Sequence, residues 1–277
     1  MKKKGLILAL IMVLLLGTLA GCRSKTNDQK SATGGQQQLT IAGSTSVQPL
    51  SELLAEGFMA ANPGTKVTVQ GGGSGVGIEQ AIAGTINIGS SSRELKAEEK
   101  AKGLNEFVIC KDGIAVIVNK DNGIKALTME QIKNIFAGKV TNWKDVGGSD
   151  GKIAVINREA GSGTRGAFEE LVMGKDTPLA KSVEQSSTGA VKSAVSTDKN
   201  AIGYVSLTGL GEGVHAVTVN GVEANAQTVK DGKYPISRPF LYLTKGTPSE
   251  LAKKFYDYIE SAEGQKIIQD EGLVLLK

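Results

Sequence analysis

Four short segments gather the groups that could do chemistry: Gly43-Ser44-Thr45-Ser46, Gly71-Gly72-Gly73-Ser74-Gly75, Gly89-Ser90-Ser91-Ser92-Arg93 and the run from Arg158 to Arg165, which includes Gly161-Ser162-Gly163-Thr164. Glycine lets backbone N–H groups approach a small ligand closely, and neighbouring hydroxyls add further donors. A helix beginning after such a loop contributes roughly half a positive elementary charge. Together these features make an anion site. Arg158 supplies a full charge and a fork suited to a tetrahedral oxyanion. One such loop alone is ordinarily a turn; four at strand ends, one carrying arginine, point to a site. Arg93 and Arg165 are read as solvated or paired with neighbours such as Glu94 and Glu169.

The elements that must hold these loops alternate. Leu39 to Ala42 is strand-like, and Pro49 opens a helix with Leu50, Leu53, Leu54 and Phe58 at helical spacing. Lys66 to Val69 reads as a strand, Gly71 to Gly77 as a loop, Ile78 to Ala83 as a short helix and Ile86 to Gly89 as a third strand. Further strands are predicted at Gly113 to Asn119 and Lys152 to Ile156. Helices are predicted around Ile132, Ile135 and Phe136 and around Leu251, Phe255 and Ile259. Repeated strand–loop–helix units imply an α/β fold with mainly parallel sheets. Loops at the carboxyl ends of such strands converge on one ligand site.

The first residues carry a separate message. Lys2, Lys3 and Lys4 precede an apolar run from Leu6 to Leu19, too short for the about 20 residues of a comfortable span. Leu19-Ala20-Gly21-Cys22 follows, which resembles a bacterial lipoprotein signal with Cys22 as the lipidated residue. Residues 1–21 are therefore expected to be a signal peptide. Residues 22–38 are expected to be a flexible tether, since 23–38 hold no large apolar residue. The leader has three of the 32 basic residues, which leaves 29 against 28 acidic ones. So balanced a chain lacks the basic stripe of a nucleic-acid binder.

Several catalytic chemistries lack their residues. With Cys22 lipidated, Cys110 has no disulfide partner and reads as a small buried hydrophobe. His215 is the only histidine, flanked by valines, and is given a structural role; no histidine-rich metal site is available. No Gly-Lys pair precedes Ser or Thr, so a Walker A loop is absent. The nucleophile elbow fails at Ser74 and at Ser162. Gly161 to Gly166 does satisfy the dinucleotide pattern G-x-G-x-x-G, with Glu184 18 residues beyond it. A dinucleotide-binding enzyme is therefore an alternative to a binding protein.

The four motifs, in this order, resemble the PstS-type phosphate-binding lipoproteins of ABC transporters, from about Leu39 to the C-terminus. The resemblance implies a two-lobed fold of the periplasmic-binding-protein type (type II), closing over one inorganic phosphate. It implies phosphate contacts from Thr45, Ser46, Ser74, Ser92, Arg158, Ser162, Gly163 and Thr164, with no cofactor, metal or catalysis. Some members carry an acidic residue where Ser92 stands, and an aspartate is frequent at Asn87. A hydroxyl can still accept the proton of hydrogen phosphate, but it does not repel sulfate. Sulfate, molybdate and tungstate thus remain alternative ligands. Lobe 1 is placed at 39–115 plus 238–277 and lobe 2 at 116–237, with two crossings near Gly113 and Pro235 to Pro239. The expected protein is a monomer, lipid-anchored on the extracytoplasmic face, serving the permease and ATPase subunits of a phosphate importer, with no nucleic-acid partner.

Overall fold

The computed structural model describes residues 37–276. The signal segment, Cys22 and the tether up to Gln36 lie outside the described residues.

The first half of the chain runs β1 (Gln37–Gly43), α1 (Gln48–Ala61), β2 (Thr65–Gln70), α2 (Ser74–Ala83), β3 (Ile88–Ser91), α3 (Ala97–Lys100), β4 (Leu104–Asn119), β5 (Ala126–Leu127) and α4 (Met129–Phe136). Then come β6 (Ala154–Arg158), α5 (Gly163–Phe168), β7 (Val183–Gln185), α6 (Thr188–Thr197), β8 (Ala201–Ser206), β9 (Val214–Ala216), β10 (Thr218–Val219), α7 (Ala226–Lys230), β11 (Ser237–Lys245), α8 (Glu250–Glu260) and α9 (Ala262–Asp270). Strands and helices alternate along most of the chain, an α/β fold as expected.

The main sheet is ordered β2-β1-β3-β11-β4-β8-β6-β7, with β9 also on β4. Its outer pairs are parallel, whereas β11 runs antiparallel to β3 and β4, and β8 and β9 run antiparallel to β4. The sheet is thus mixed at its centre. β4 joins its halves: Leu104 to Gly113 pair with β11, and Ile114 to Val118 pair with β8.

Alternation along the strands builds the cores. On β11, Phe240 and Tyr242 face a core with Leu39, Ile41, α1, α8 and α9, while Leu241 and Leu243 face α2 through Ile78 and Ala81. Phe58 of α1 meets Phe255 of α8 edge-on at 5.2 Å. In the other half, Ile114, Val116 and Val118 face α4 and α5, and Ala115 and Ile117 face α6. A strand covered on both faces needs apolar residues at every position, which explains the unbroken run from Ile114 to Val118. Val274 joins this second core.

Several boundaries differ from the sequence expectation, β4 most of all, which starts at Leu104 rather than Gly113. β1 begins at Gln37 rather than Leu39, pairing Gln37 and Gln38 with Thr65 and Lys66; backbone ladder bonds require no apolar side chain. α2 starts at Ser74 rather than Ile78, because Ser74 and Gly75 already have helical backbone. β3 covers Ile88–Ser91, so Gly89, Ser90 and Ser91 are strand residues and Ser92 is the first beyond. β6 ends on Arg158 itself. The last three shifts place Ser74, Ser92 and Arg158 at or beside the end of a regular element, where they are better fixed.

Candidate anion site

Three of the site's segments come from the first half. The loop after β1 carries Ser44, Thr45 and Ser46. Gly73 adopts φ 95°, a left-handed backbone that glycine favours, and turns the chain into α2 with Ser74 at its start. Ser92 follows β3. The other half supplies Arg158 at the end of β6 and Ser162 to Thr164 where α5 begins. α5 continues through Glu169–Met173 with a widened π-type turn.

The structure brings all eight sequence-predicted residues together. Arg158 is 2% exposed, and Ser74 and Ser92 are fully buried. The Ser46 hydroxyl lies 2.9 Å from Thr164 Oγ1. Ser74 Oγ lies 3.3 Å from Ser92 Oγ and accepts the Ser92 N–H at 3.1 Å. Gly163 sits against this pair: a Cβ there would stand 2.1 Å from Ser74 Oγ and 2.7 Å from Ser92 Oγ. Ser162 caps its own helix, its Oγ accepting the Arg165 N–H at 3.2 Å. The Gly75 N–H donates to the Gly161 carbonyl at 3.0 Å, a direct backbone bridge between the α2 and α5 loops.

Arg158 is aimed by its neighbours. Its Nε and Nη2 donate to the two Glu159 carboxylate oxygens at 2.9 and 2.8 Å, and Nε also reaches the Gln185 carbonyl at 3.2 Å. Glu159 holds the guanidinium plane, while Nη2 extends to Thr45 Oγ1 at 3.3 Å and Nη1 to Thr188 Oγ1 at 3.4 Å. The result is one oriented cation among neutral donors. Such a site binds an oxyanion by directed hydrogen bonds rather than by bulk charge.

Thr188 is a further neighbour, absent from the sequence-based set. Its hydroxyl lies 2.8 Å from Ser46 Oγ, and its N–H donates to Thr45 Oγ1 at 3.3 Å. The signal was present, since Ser186-Ser187-Thr188-Gly189 shares the composition of the other loops and precedes α6. Asp112 and Arg238 are likewise absent from that set. They form a buried ion pair at 3.0 Å behind Ser92. Burial raises the Asp112 carboxyl, with Arg238 opposing that, and lowers the Arg238 guanidinium, with Asp112 opposing that.

The remaining candidates have local roles. Arg93 forks onto Glu99 with two 2.7 Å bonds and onto the Glu94 carbonyl, so its ionic partner is Glu99 rather than Glu94. Arg165 pairs with Glu169 at 2.9 Å and Glu184 at 2.8 Å. That occupies the carboxylate a dinucleotide site would need for a ribose, and Gly163 is packed against serines. Asn87 accepts the Thr40 N–H at 2.8 Å, a structural bond. His215 Nε2 meets the Ile124 carbonyl at 2.8 Å. Cys110 is buried and unpaired, and burial pushes its thiol well up.

Two α/β lobes with a hydrogen-bonding anion cradle formed from both define a solute-binding protein. The family model of the PBP superfamily domain matches residues 28–263. The phosphate-binding protein PstS of Bacillus subtilis is 38% identical over 99% of this chain and 95% of its own length. A substrate-binding protein of a putative phosphate ABC transporter from Clostridium perfringens, solved with bound phosphate, superposes with a TM-score of 0.85 at 45% identity. That match covers 87% of this chain and 100% of the other. An ABC-type phosphate transport receptor from Vibrio cholerae gives a TM-score of 0.72 at 35% identity, covering 86% and 99%. The chain belongs to the PstS family of phosphate-binding proteins within the PBP superfamily.

Proposed function

We propose that the chain is the phosphate-binding component of an ABC phosphate importer. It takes up one inorganic phosphate between its lobes through Thr45, Ser46, Ser74, Ser92, Arg158, Ser162, Gly163 and Thr164, with Thr188 as an added donor. The observation that carries this reading is the convergence of Arg158 and the hydroxyls of Thr45, Ser46, Thr164 and Thr188 within hydrogen-bond distance of one another. A tetrahedral anion with four oxygens satisfies such a shell. A hydroxyl can also turn to accept, so Ser92 serves the proton of hydrogen phosphate where an acidic side chain does so in some relatives.

The lobes we assign are 39–115 with 238–277, and 116–237. Support comes from the two cores that divide near the switch in β4, at Gly113 and Ile114, with Val274 of the C-terminal segment reaching across to the second. Ligand held from both lobes favours the closed form. We read the chain as a carrier, not a catalyst, because its charged groups at the site are paired for orientation. The Leu19-Ala20-Gly21-Cys22 motif supports a lipid anchor on the extracytoplasmic face, close to permease and ATPase partners. Among the described residues no helix is long and apolar enough to cross a membrane.

Calorimetric titration of residues 36–277 with phosphate, sulfate, molybdate and NAD tests the reading. One-site binding of phosphate alone is expected. Preference for another oxyanion would overturn the ligand and keep the cradle, whereas NAD binding would overturn both.

A further inference from the structure

Asp112 and Arg238 are 0% and 4% exposed, and they are register partners on β4 and β11. Replacing such a buried pair with apolar residues is often neutral or stabilising, so stability alone does not explain its presence. Its geometry is more informative. Arg238 gives Nε and Nη2 to one carboxylate oxygen, Asp112 Oδ2, at 3.1 and 3.0 Å. Its third nitrogen, Nη1, donates to the Ser92 carbonyl at 2.9 Å. The other carboxylate oxygen, Asp112 Oδ1, accepts the Ser206 hydroxyl at 2.9 Å and the Leu207 N–H at 3.1 Å. Ser206 Oγ in turn lies 3.0 Å from Thr208 Oγ1, whose single proton goes either to it or to the Ser46 carbonyl at 3.5 Å.

A chain of polar contacts therefore runs from the Ser92 loop through the buried ion pair to the end of β8, and on through half-buried Thr208 to the Ser46 loop. It crosses the sheet where β4 changes partner from β11 to β8. We infer that the Asp112–Arg238 pair is a positioning device: it ties the Ser92 and Ser46 loops to the β8 turn across the hinge strands, so that lobe closure and hydroxyl placement occur together. The inference rests on the reading that the cleft binds phosphate.

Arg238→Lys separates this role from simple stability. Lysine still pairs with Asp112 but has no planar fork to hold the Ser92 carbonyl as well. Ser206→Ala removes the β8 contact and leaves the ion pair whole. Phosphate affinity and thermal stability are measured on the full chain, its two variants and a core control, Ile268→Val, remote from these loops. Arg238→Lys is expected to weaken phosphate about tenfold and Ser206→Ala about threefold, with the control unchanged. The double variant should fall short of the product of the two effects, because both act through one arrangement. Affinities within twofold of the parent in the folded variants, or a loss no larger than in a control of equal stability, overturn the inference. Should Arg238→Lys fail to fold, Ser206→Ala decides by the same criterion. A parent that does not bind phosphate overturns the binding reading itself, and the inference with it.

Discussion

Ser46 and Thr164 are 118 positions apart in the chain, and their hydroxyl oxygens lie 2.9 Å apart. Ser46 comes from the turn before α1 and Thr164 from the first turn of α5, so the contact joins the two lobes. Thr188, at the start of α6, flanks Ser46 at 2.8 Å. On the function proposed above, an anion entering between them would gain these donors as the lobes approach, making capture and closure one coupled equilibrium.

Thr188→Val tests the donor that the sequence did not reveal. The substitution keeps the shape and deletes a hydroxyl that touches Ser46 and Arg158. Loss of one such bond should cost about 1 kcal/mol of phosphate affinity, with little change in melting temperature. Titration calorimetry would show it; an unchanged Kd would place Thr188 outside the ligand shell.

Gly163→Ala should be more damaging than its size suggests. The new methyl would stand 2.1 Å from Ser74 Oγ and 2.8 Å from Ser74 Cβ, so either the serine or the α5 loop must shift. Overpacking of this kind costs about 1–3 kcal/mol, and here it falls on the closed form. The Kd for phosphate should rise by about 5- to 150-fold. Small-angle scattering with saturating phosphate should report a more open particle than the parent.

Arg158→Ala removes the buried cation and leaves Glu159 facing the site. Truncating a hydrogen-bonded buried charge costs about 2–5 kcal/mol, so binding should drop on the order of a hundredfold or more. Arg158→Lys should recover only part of this, because an ammonium cannot reach Glu159, Thr45 and Thr188 in one plane. Equal affinity of the lysine variant and the parent would show that charge, not the fork, is what matters.

Glu99 provides a test in pH. Its carboxylate is forked by Arg93 and accepts the Lys96 N–H at 2.8 Å. Burial acts against the charged form, but these bonds outweigh it and hold the carboxyl below its ordinary 4.5. A depressed carboxyl contributes stability above 4.5 that is lost as pH falls through the folded value. Glu99→Gln should therefore destabilise by about 1 kcal/mol near neutrality, and the gap to the parent should narrow on acidification. Urea unfolding at neutral and acid pH would reveal the trend, and a constant gap would assign the effect to hydrogen-bond geometry instead of charge.

Much of this protein is legible locally. The composition of the Thr45, Ser74, Ser92 and Arg158 loops announces an anion site, since glycines, hydroxyls and an arginine beside helix starts have few other joint uses. The helical stripe of Leu50, Leu54 and Phe58 and the unbroken run from Ile114 to Val118 announce a buried helix face and a doubly covered strand. Periodicity fails at β3, where Gly89, Ser90 and Ser91 resemble a loop and become a strand only by pairing with β1 and β11.

What the amino-acid sequence determines by itself is the set of local conformations and the kind of ligand, because both follow from side-chain chemistry within a few residues. Partnership across the chain is decided only in three dimensions. No periodicity links Asp112 to Arg238, 126 positions later, or gives Arg93 to Glu99 rather than Glu94. β11 inserts antiparallel between β3 and β4, and that single placement puts Arg238 behind Ser92 and sets the register of the hinge. Such choices rest on the total burial and hydrogen bonding of the whole sheet, a sum over distant segments that no local window contains.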